Sequence, residues 1–258
     1  MGIKRTSLTD DPDVIASFFE NVSEELLPIT LDCPSQEGLI DLARTQEYRI
    51  RLANTEDRRE SASILIKRMY TWRGYGDGAI READPNRVTL LASGNDNTAI
   101  GTLSVGFDSP LGLLADEMYR TELDQLRQEG CRLCEYNRLA VDSSIKSKRI
   151  ISSLFHIAYL YPYGLFAATD GVLEVNPRHV KFYERMLGFT QVGPERICPR
   201  VNAPSVLLRT NFDYMSRQVE KLGGLMDKAP STEKSLYPYF FTKADESGIL
   251  GRLRRMSS

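Results

Sequence analysis

Two rhythms run through the apolar positions of this chain, one of about two residues and one of about 3.6, and the switches between them mark its elements. After Asp10-Asp11-Pro12-Asp13, a helix-start signal, Val14, Ile15, Phe18, Phe19, Val22 and Leu26 fall on one helical face until Pro28. This predicts a helical appendage over residues 1–45. Its apolar face needs cover from the main domain or from a second copy, which would make a homodimer through that helix. From residue 46 the rhythm shortens, and Tyr48, Ile50 and Leu52 alternate with Arg49, Arg51 and Ala53 as a strand. Asn54 or Thr55 then caps a helix to about Tyr70, with Glu56 and Asp57 where the helix dipole favours acids. Tyr70, Trp72 and Tyr75, interleaved with Gly74, Gly76 and Gly78, read as a loop suited to cover a cleft.

Strands over residues 87–92 and 99–107 are joined by Ser93-Gly94-Asn95-Asp96-Asn97, a hairpin loop, and should be antiparallel neighbours. A helix over 113–130, a strand over 131–141 and a helix from about 147 to 161 follow. Strands over 190–192 and 205–210 close a domain spanning residues 46–212. Residues 213–258 read as a C-terminal extension: a helix near 214–222, an aromatic run of Tyr237, Tyr239, Phe240 and Phe241, and a partly disordered basic end at Arg252, Arg254 and Arg255. Aromatics at that density rarely stay in water, so the run should dock back on the domain or on a partner.

Composition changes this picture mostly by exclusion. With 41% hydrophobic and 26% charged residues in 258, the chain falls in the soluble globular class. A net charge of −2 argues against a general nucleic-acid binder, because duplex affinity rests on phosphate neutralisation. No apolar run approaches a membrane span and no signal-peptide core is visible, which predicts a cytoplasmic protein. Cys33, Cys131, Cys134 and Cys198 are too scattered for a disulfide framework, and with only His156 and His179 beside them no metal site is expected.

Two stretches carry chemistry. In residues 172–189, Val172, Leu173 and Val175 form a short buried strand that Asn176-Pro177 turns into a helix. Val180, Tyr183 and Leu187 recur at helical spacing, and Gly188 supplies the stop. In residues 133–149, alternation puts Glu135, Asn137, Leu139 and Val141 on one face of a strand. An acid in so apolar a setting has to be paired or functional, and in a cleft desolvation would raise its pKa towards that of a useful general base. Arg138 would point the other way in a regular strand, but a bulge could bring it round beside Glu135. The turn after this strand, residues 143–149, has no glycine to let a backbone close on a pyrophosphate. It carries Lys146, Lys148 and Arg149 instead, cations suited to a single phosphate and to an acidic partner surface.

The strand ending in Asn176, the tyrosine seven residues later and the closing Gly-Phe resemble the last strand-helix unit of the GNAT superfamily of N-acyltransferases. The element order agrees, which implies an α/β (α+β) fold with a mixed, mostly antiparallel central sheet flanked by helices. Together with LCEYNRLAVD, SLFHIAYLY and ERICPRVNAPSVLLR, the chain looks like the N-acyl amino acid synthase branch, itself similar to the acyl-homoserine lactone synthases. That resemblance implies transfer of a long-chain fatty acyl group from acyl carrier protein to the α-amine of an amino acid, with no bound cofactor beyond the donor's phosphopantetheine. It implies Glu135 as base, Tyr183 as proton donor to the thiolate, and Asn176 beside the thioester. Arg138 would meet the acceptor carboxylate, with Tyr70, Trp72 and Asn137 around the acceptor. The backbone of Leu139, Ala140 and Val141 would run along the pantetheine arm. Two other readings stay open, an acetyl-CoA-dependent N-acetyltransferase of a small amine and a non-catalytic acyl-carrier or lipid binding module.

Overall fold

The computed structural model describes residues 11–22, 44–71, 84–142 and 147–257. Among them the elements run β1 (Ala16–Val22), β2 (Arg44–Leu52), α1 (Glu56–Thr71), β3 (Arg87–Ser93), β4 (Ala99–Phe107), α2 (Asp116–Gln128) and β5 (Leu133–Val141). There follow α3 (Lys148–Phe166), β6 (Asp170–Val175), α4 (Val180–Leu187), β7 (Thr190–Gln191), β8 (Arg196–Cys198), β9 (Ala203–Asn211), α5 (Phe212–Leu222) and α6 (Lys243–Met256). The strands join in the order β1-β2-β3-β4-β5-β6-β9-β7, with β8 on β9, and every pair is antiparallel except β5–β6. The fold is therefore the mixed, mostly antiparallel sheet that the sequence implied.

Side-chain alternation sorts the two faces. Leu133 and Val172 pack with Tyr119, Leu123 and Leu126 of α2, and Ala140 packs with Leu65, Ile66 and Met69 of α1. Tyr136 and Leu173 face the other way, into the larger core with Phe155 of α3, Leu187 of α4, Met215 of α5 and Leu253 of α6. Thus α1 and α2 cover one face and α3 to α6 the other.

Two expectations are corrected. Residues 16–22 form an edge strand rather than a helix, paired with β2 from Ala16↔Ile50 to Val22↔Arg44. Ile15 and Phe18, three apart, fit a helical stripe, but the partner strand decides the outcome. Phe18 is 1% exposed in the main core, a burial that contributes about 2 kcal/mol. This strand belongs to the sheet, and the helix through which a homodimer was expected is not formed there. The basic end is likewise ordered: Arg252, Arg254 and Arg255 lie in α6. A reciprocal capping box between Thr242 and Asp245 starts that helix, and Ile249 and Leu253 bury its inner face.

The aromatic run docks back as its density suggested, with Tyr237, Phe240 and Phe241 buried. His156 of α3, fully buried, holds this segment in place. Its Nδ1 accepts from Phe241 N–H at 3.1 Å, so the ring proton sits on Nε2, 3.2 Å from Glu246 Oε1. Among the described residues no helix is long and apolar enough to cross a membrane.

Candidate active site

β5 and β6 start as parallel partners and then part. Pairing runs from Leu133↔Asp170 to Tyr136↔Leu173 and stops, although β5 continues to Val141 and β6 to Val175. On its other side β5 stays joined to β4, but with a bulge: Ser104 pairs with Asn137 and Thr102 with Ala140, leaving Arg138 and Leu139 opposite Leu103 alone. Arg138 takes the left-handed conformation there, φ 53°, at a cost of about 1 kcal/mol for a residue with a side chain. Thr102 Oγ1 anchors the distortion by donating to Arg138 O at 2.9 Å.

A cavity of about 1310 Å³ passes through the gap between the parted strands. Glu135, Asn137, Arg138, Leu139, Val141, Asn176, Tyr183 and Tyr70, all singled out in the sequence, line it together. The bulge brings Arg138 to the same space as Glu135, as a regular strand would not. The two ends of the cavity differ chemically. On the α1/α2 face it is lined by Arg87, Thr89, Glu135, Glu174 and Arg200; on the α3/α4 face by Ile151, Phe155, Leu173 and Tyr183.

Glu135 is 2% exposed, and its Oε2 accepts from Leu114 N–H at 2.8 Å. Burial, reinforced by the neighbouring Glu174 carboxylate, pushes its pKa up to about 7, against the pull of the Leu114 N–H, Arg87 and Arg200. It is thus poised to gain and lose a proton near neutrality. Burial also raises the pKa of Glu174, whose Oε2 pairs with Arg200 while Arg200 bridges on to Glu117. Across the gap, Tyr183 is held by edge-on rings, Phe155 at 6.3 Å, Phe189 at 5.9 Å and Phe182 at 5.2 Å. Asn176 serves first as a cap: its Oδ1 accepts from Arg178 N–H at 3.2 Å and starts the turn leading into α4. Gly188 ends α4 with φ 74°, the left-handed stop expected from Gly-Phe.

Along the donor path one assignment changes, that of Arg149, while the main-chain assignment of Leu139 to Val141 is untouched. The side chain of Ala140 turns away from the cavity to pack on α1. Arg149 faces β1: its guanidinium lies 4.6 Å from the Phe18 ring centre and donates to Phe19 O at 3.2 Å. Burial lowers its pKa, as suits a clamp between α3 and β1 more than a cation offered to a partner. Lys148 remains exposed, 5.6 Å from the Tyr239 ring centre and away from the cavity. Trp72 and Lys146 lie outside the described residues. Arg87, Glu174 and Arg200 are site residues that sequence reasoning missed. For Glu174 a signal existed, since it is an acid in an apolar strand two residues before Asn176, the same feature that marked Glu135. Among the described residues no three His, Cys, Asp or Glu side chains gather as a metal would require.

Residues 61–211 match the model of the family described as N-acyl amino acid synthase FeeM. The solved structure of FeeM, an N-acyl amino acid synthase from uncultured soil microbes, is similar at a TM-score of 0.59 and 26% identity, over 67% of this chain and 94% of that one. An acyl-CoA N-acyltransferase from Pseudomonas aeruginosa (TM-score 0.46, 15% identity, 64% of this chain and 98% of that one) is more distant. So is the AHL synthase LasI (0.45, 15%, 64% and 90%). No curated protein matches the chain.

Proposed function

The chain belongs to the N-acyl amino acid synthase FeeM family and is an N-acyltransferase, and from that premise we propose that it moves a long-chain fatty acyl group from acyl carrier protein to the α-amine of an amino acid. The observation that carries the proposal is the passage between β5 and β6, with a buried carboxylate at one end and a tyrosine among apolar rings at the other. A thioester carbonyl in that gap can be approached by an amine from the α1/α2 face while its thiol leaves towards α3 and α4.

In this reading the acceptor enters beside Glu135, which takes a proton from its nitrogen. The amine adds to the thioester carbonyl, whose oxygen is met by N–H groups on the edge of β5 that no longer pair with β6. The adduct nitrogen releases its second proton to solvent, the tetrahedral adduct collapses, the C–S bond breaks, and Tyr183 O–H protonates the departing thiolate. The amide product and the free pantetheine thiol leave, and solvent restores the protons on the two side chains. The same unpaired edge of Leu139 to Val141 offers main-chain hydrogen bonds to the amides of a pantetheine arm, as an added strand would use. The apolar lining by Ile151, Phe155 and Leu173 suits an acyl chain.

The proposal is tested with purified protein, a long-chain acyl carrier protein or the matching acyl-CoA, and the twenty common L-α-amino acids, with products read by mass spectrometry. N-acyl amino acids from the carrier-borne donor support it. Product from acyl-CoA alone would move the donor assignment, and free fatty acid or no product from both donors would overturn the reaction.

A further inference from the structure

The α1/α2 end of the cavity is built in rows. Pairing sets Arg87 opposite Gly106 and Gly106 opposite Glu135, and one step along the same face it sets Thr89 opposite Ser104 and Ser104 opposite Asn137. Glu174 lies two residues beyond Val172, the partner of Glu135, and so shares this face. Thr89 and Ser104 satisfy each other at 2.7 Å. The charged row does not close in that way, because Gly106 stands between its members. A methyl group at Gly106 would lie 3.7 Å from Arg87 Nε and 3.9 Å from Glu135 Cβ, so the glycine leaves the space between guanidinium and carboxylate open.

Four buried polar atoms on this face have no hydrogen-bond partner among the described residues: Arg87 Nε, Asn137 Nδ2, Asn137 Oδ1 and Glu174 Oε1. A buried polar atom left unpaired costs about 1–3 kcal/mol, so four around one cavity describe the ligand that would pair them. Two are donors and two are acceptors. A simple amine would serve only the acceptors, and a simple carboxylate only the donors. A zwitterion serves both within the span of one α-carbon. The charges agree, because burial and then the neighbouring Arg87 disfavour the charge on Arg138, and an anion between the two guanidiniums relieves that repulsion.

We propose that Arg87 and Glu174 are specificity residues of the acceptor subsite, Arg87 taking the α-carboxylate together with Arg138, and Glu174 taking the α-ammonium beside Glu135. The inference rests on the acceptor being an amino acid, as read above, and adds which residues choose it. It holds the reacting nitrogen at the edge of the β5–β6 gap by two carboxylates, so that Glu135 can accept a proton while Glu174 keeps its hydrogen bond. It also predicts that acceptors lacking either charged end bind poorly.

Saturation-transfer NMR on the full chain without donor tests this apart from turnover, with the twenty common L-α-amino acids as probes. The strongest binder is then compared with its decarboxylated amine and its deaminated acid. Glu174→Gln should weaken the amino acid and the amine about tenfold or more and leave the acid within twofold. Arg87→Gln should weaken the amino acid and the acid to the same degree and leave the amine within twofold. The proposal is overturned if no amino acid binds the wild type, or if the two variants affect amine and acid alike. If Arg87→Gln fails to fold, Arg87→Lys, which keeps the charge but loses the Nε–H donor, carries the same comparison. This binding pattern without acyl transfer would remove the function proposed above and keep the subsite. Acyl transfer with unaltered binding in both variants would do the reverse.

Discussion

Asp116 and Glu135 are two carboxylates tied to one stretch of backbone, and folding pushes them in opposite directions. Asp116 Oδ2 accepts from Leu113 N–H at 2.7 Å, and Glu135 Oε2 accepts from the next N–H, Leu114, at 2.8 Å. They are 5% and 2% exposed, so water is excluded from both. Burial works against ionisation of Asp116, yet Arg127, bonded to both of its oxygens at 2.7 and 2.8 Å, and the Leu113 N–H outweigh it and lower the pKa. Among the described residues Glu135 pairs with no guanidinium, and the neighbouring Glu174 carboxylate adds repulsion to burial. Solvent exclusion alone therefore does not distinguish a structural acid from a reactive one. The presence of a guanidinium does: Arg127 is bound by Asp108, Asp116 and Asp124 at once, whereas the cations near Glu135 stop short of it.

The most demanding test of that contrast is Glu135→Gln, which should lower kcat about a thousandfold, within the range for loss of a general base. Steady-state thiol release measures it, and turnover within tenfold of wild type from pH 6 to 9 would remove the contrast. Asp116→Asn should do the opposite, costing about 3–4 kcal/mol in urea unfolding by breaking a buried pair, with kcat of the folded fraction unchanged.

Stability against pH sharpens the comparison further. Glu135 is raised from 4.5 to about 7, so above pH 4.5 the unfolded chain loses a proton that the folded chain retains, and stability falls as pH climbs towards 7. Glu135→Gln, which mimics the neutral acid, should exceed wild type by about 2–3 kcal/mol at pH 8 and match it at pH 4. For Asp116 the sign reverses: its lowered pKa stabilises the fold above the ordinary aspartate range and the benefit is lost as pH falls through it. The smallest effect belongs to Glu117→Gln. Its half-exposed ion pair with Arg200 should be worth less than about 1 kcal/mol, and kcat should stay within twofold, because Arg200 retains Glu174.

How far the site could be read in advance follows from how local each signal is. Asn176-Pro177 and Gly188-Phe189 fix their turns by their own φ preferences, and the structure has the strand, cap and stop where these residues put them. Glu135 was legible because a charge inside an apolar alternation is itself an anomaly. The bulge at Arg138 was not, since its left-handed φ arises from the register that β4 imposes. Arg87 was hidden for a similar reason: only cross-strand pairing through Gly106 makes it a neighbour of Glu135. The edge strand β1 satisfied the spacing of a helix as well as that of a strand, and the choice was made by β2. For α6 the charged face drew attention from Ile249 and Leu253, four apart on the inner side, and from the Thr242–Asp245 start signal.

Arg252 of α6 donates its Nε–H to Ile15 O at 2.5 Å, just before β1, joining residues 237 positions apart, and Arg149 adds a second tie from α3 to β1 itself. During synthesis the catalytic sheet is translated well before α6. Until that helix clears the ribosome, the side of α3 that it covers, His156 included, stays bare. Closing of this part of the core therefore waits on a contact between segments far apart in the chain, whose loop-closure entropy has to be met before the contact rewards it.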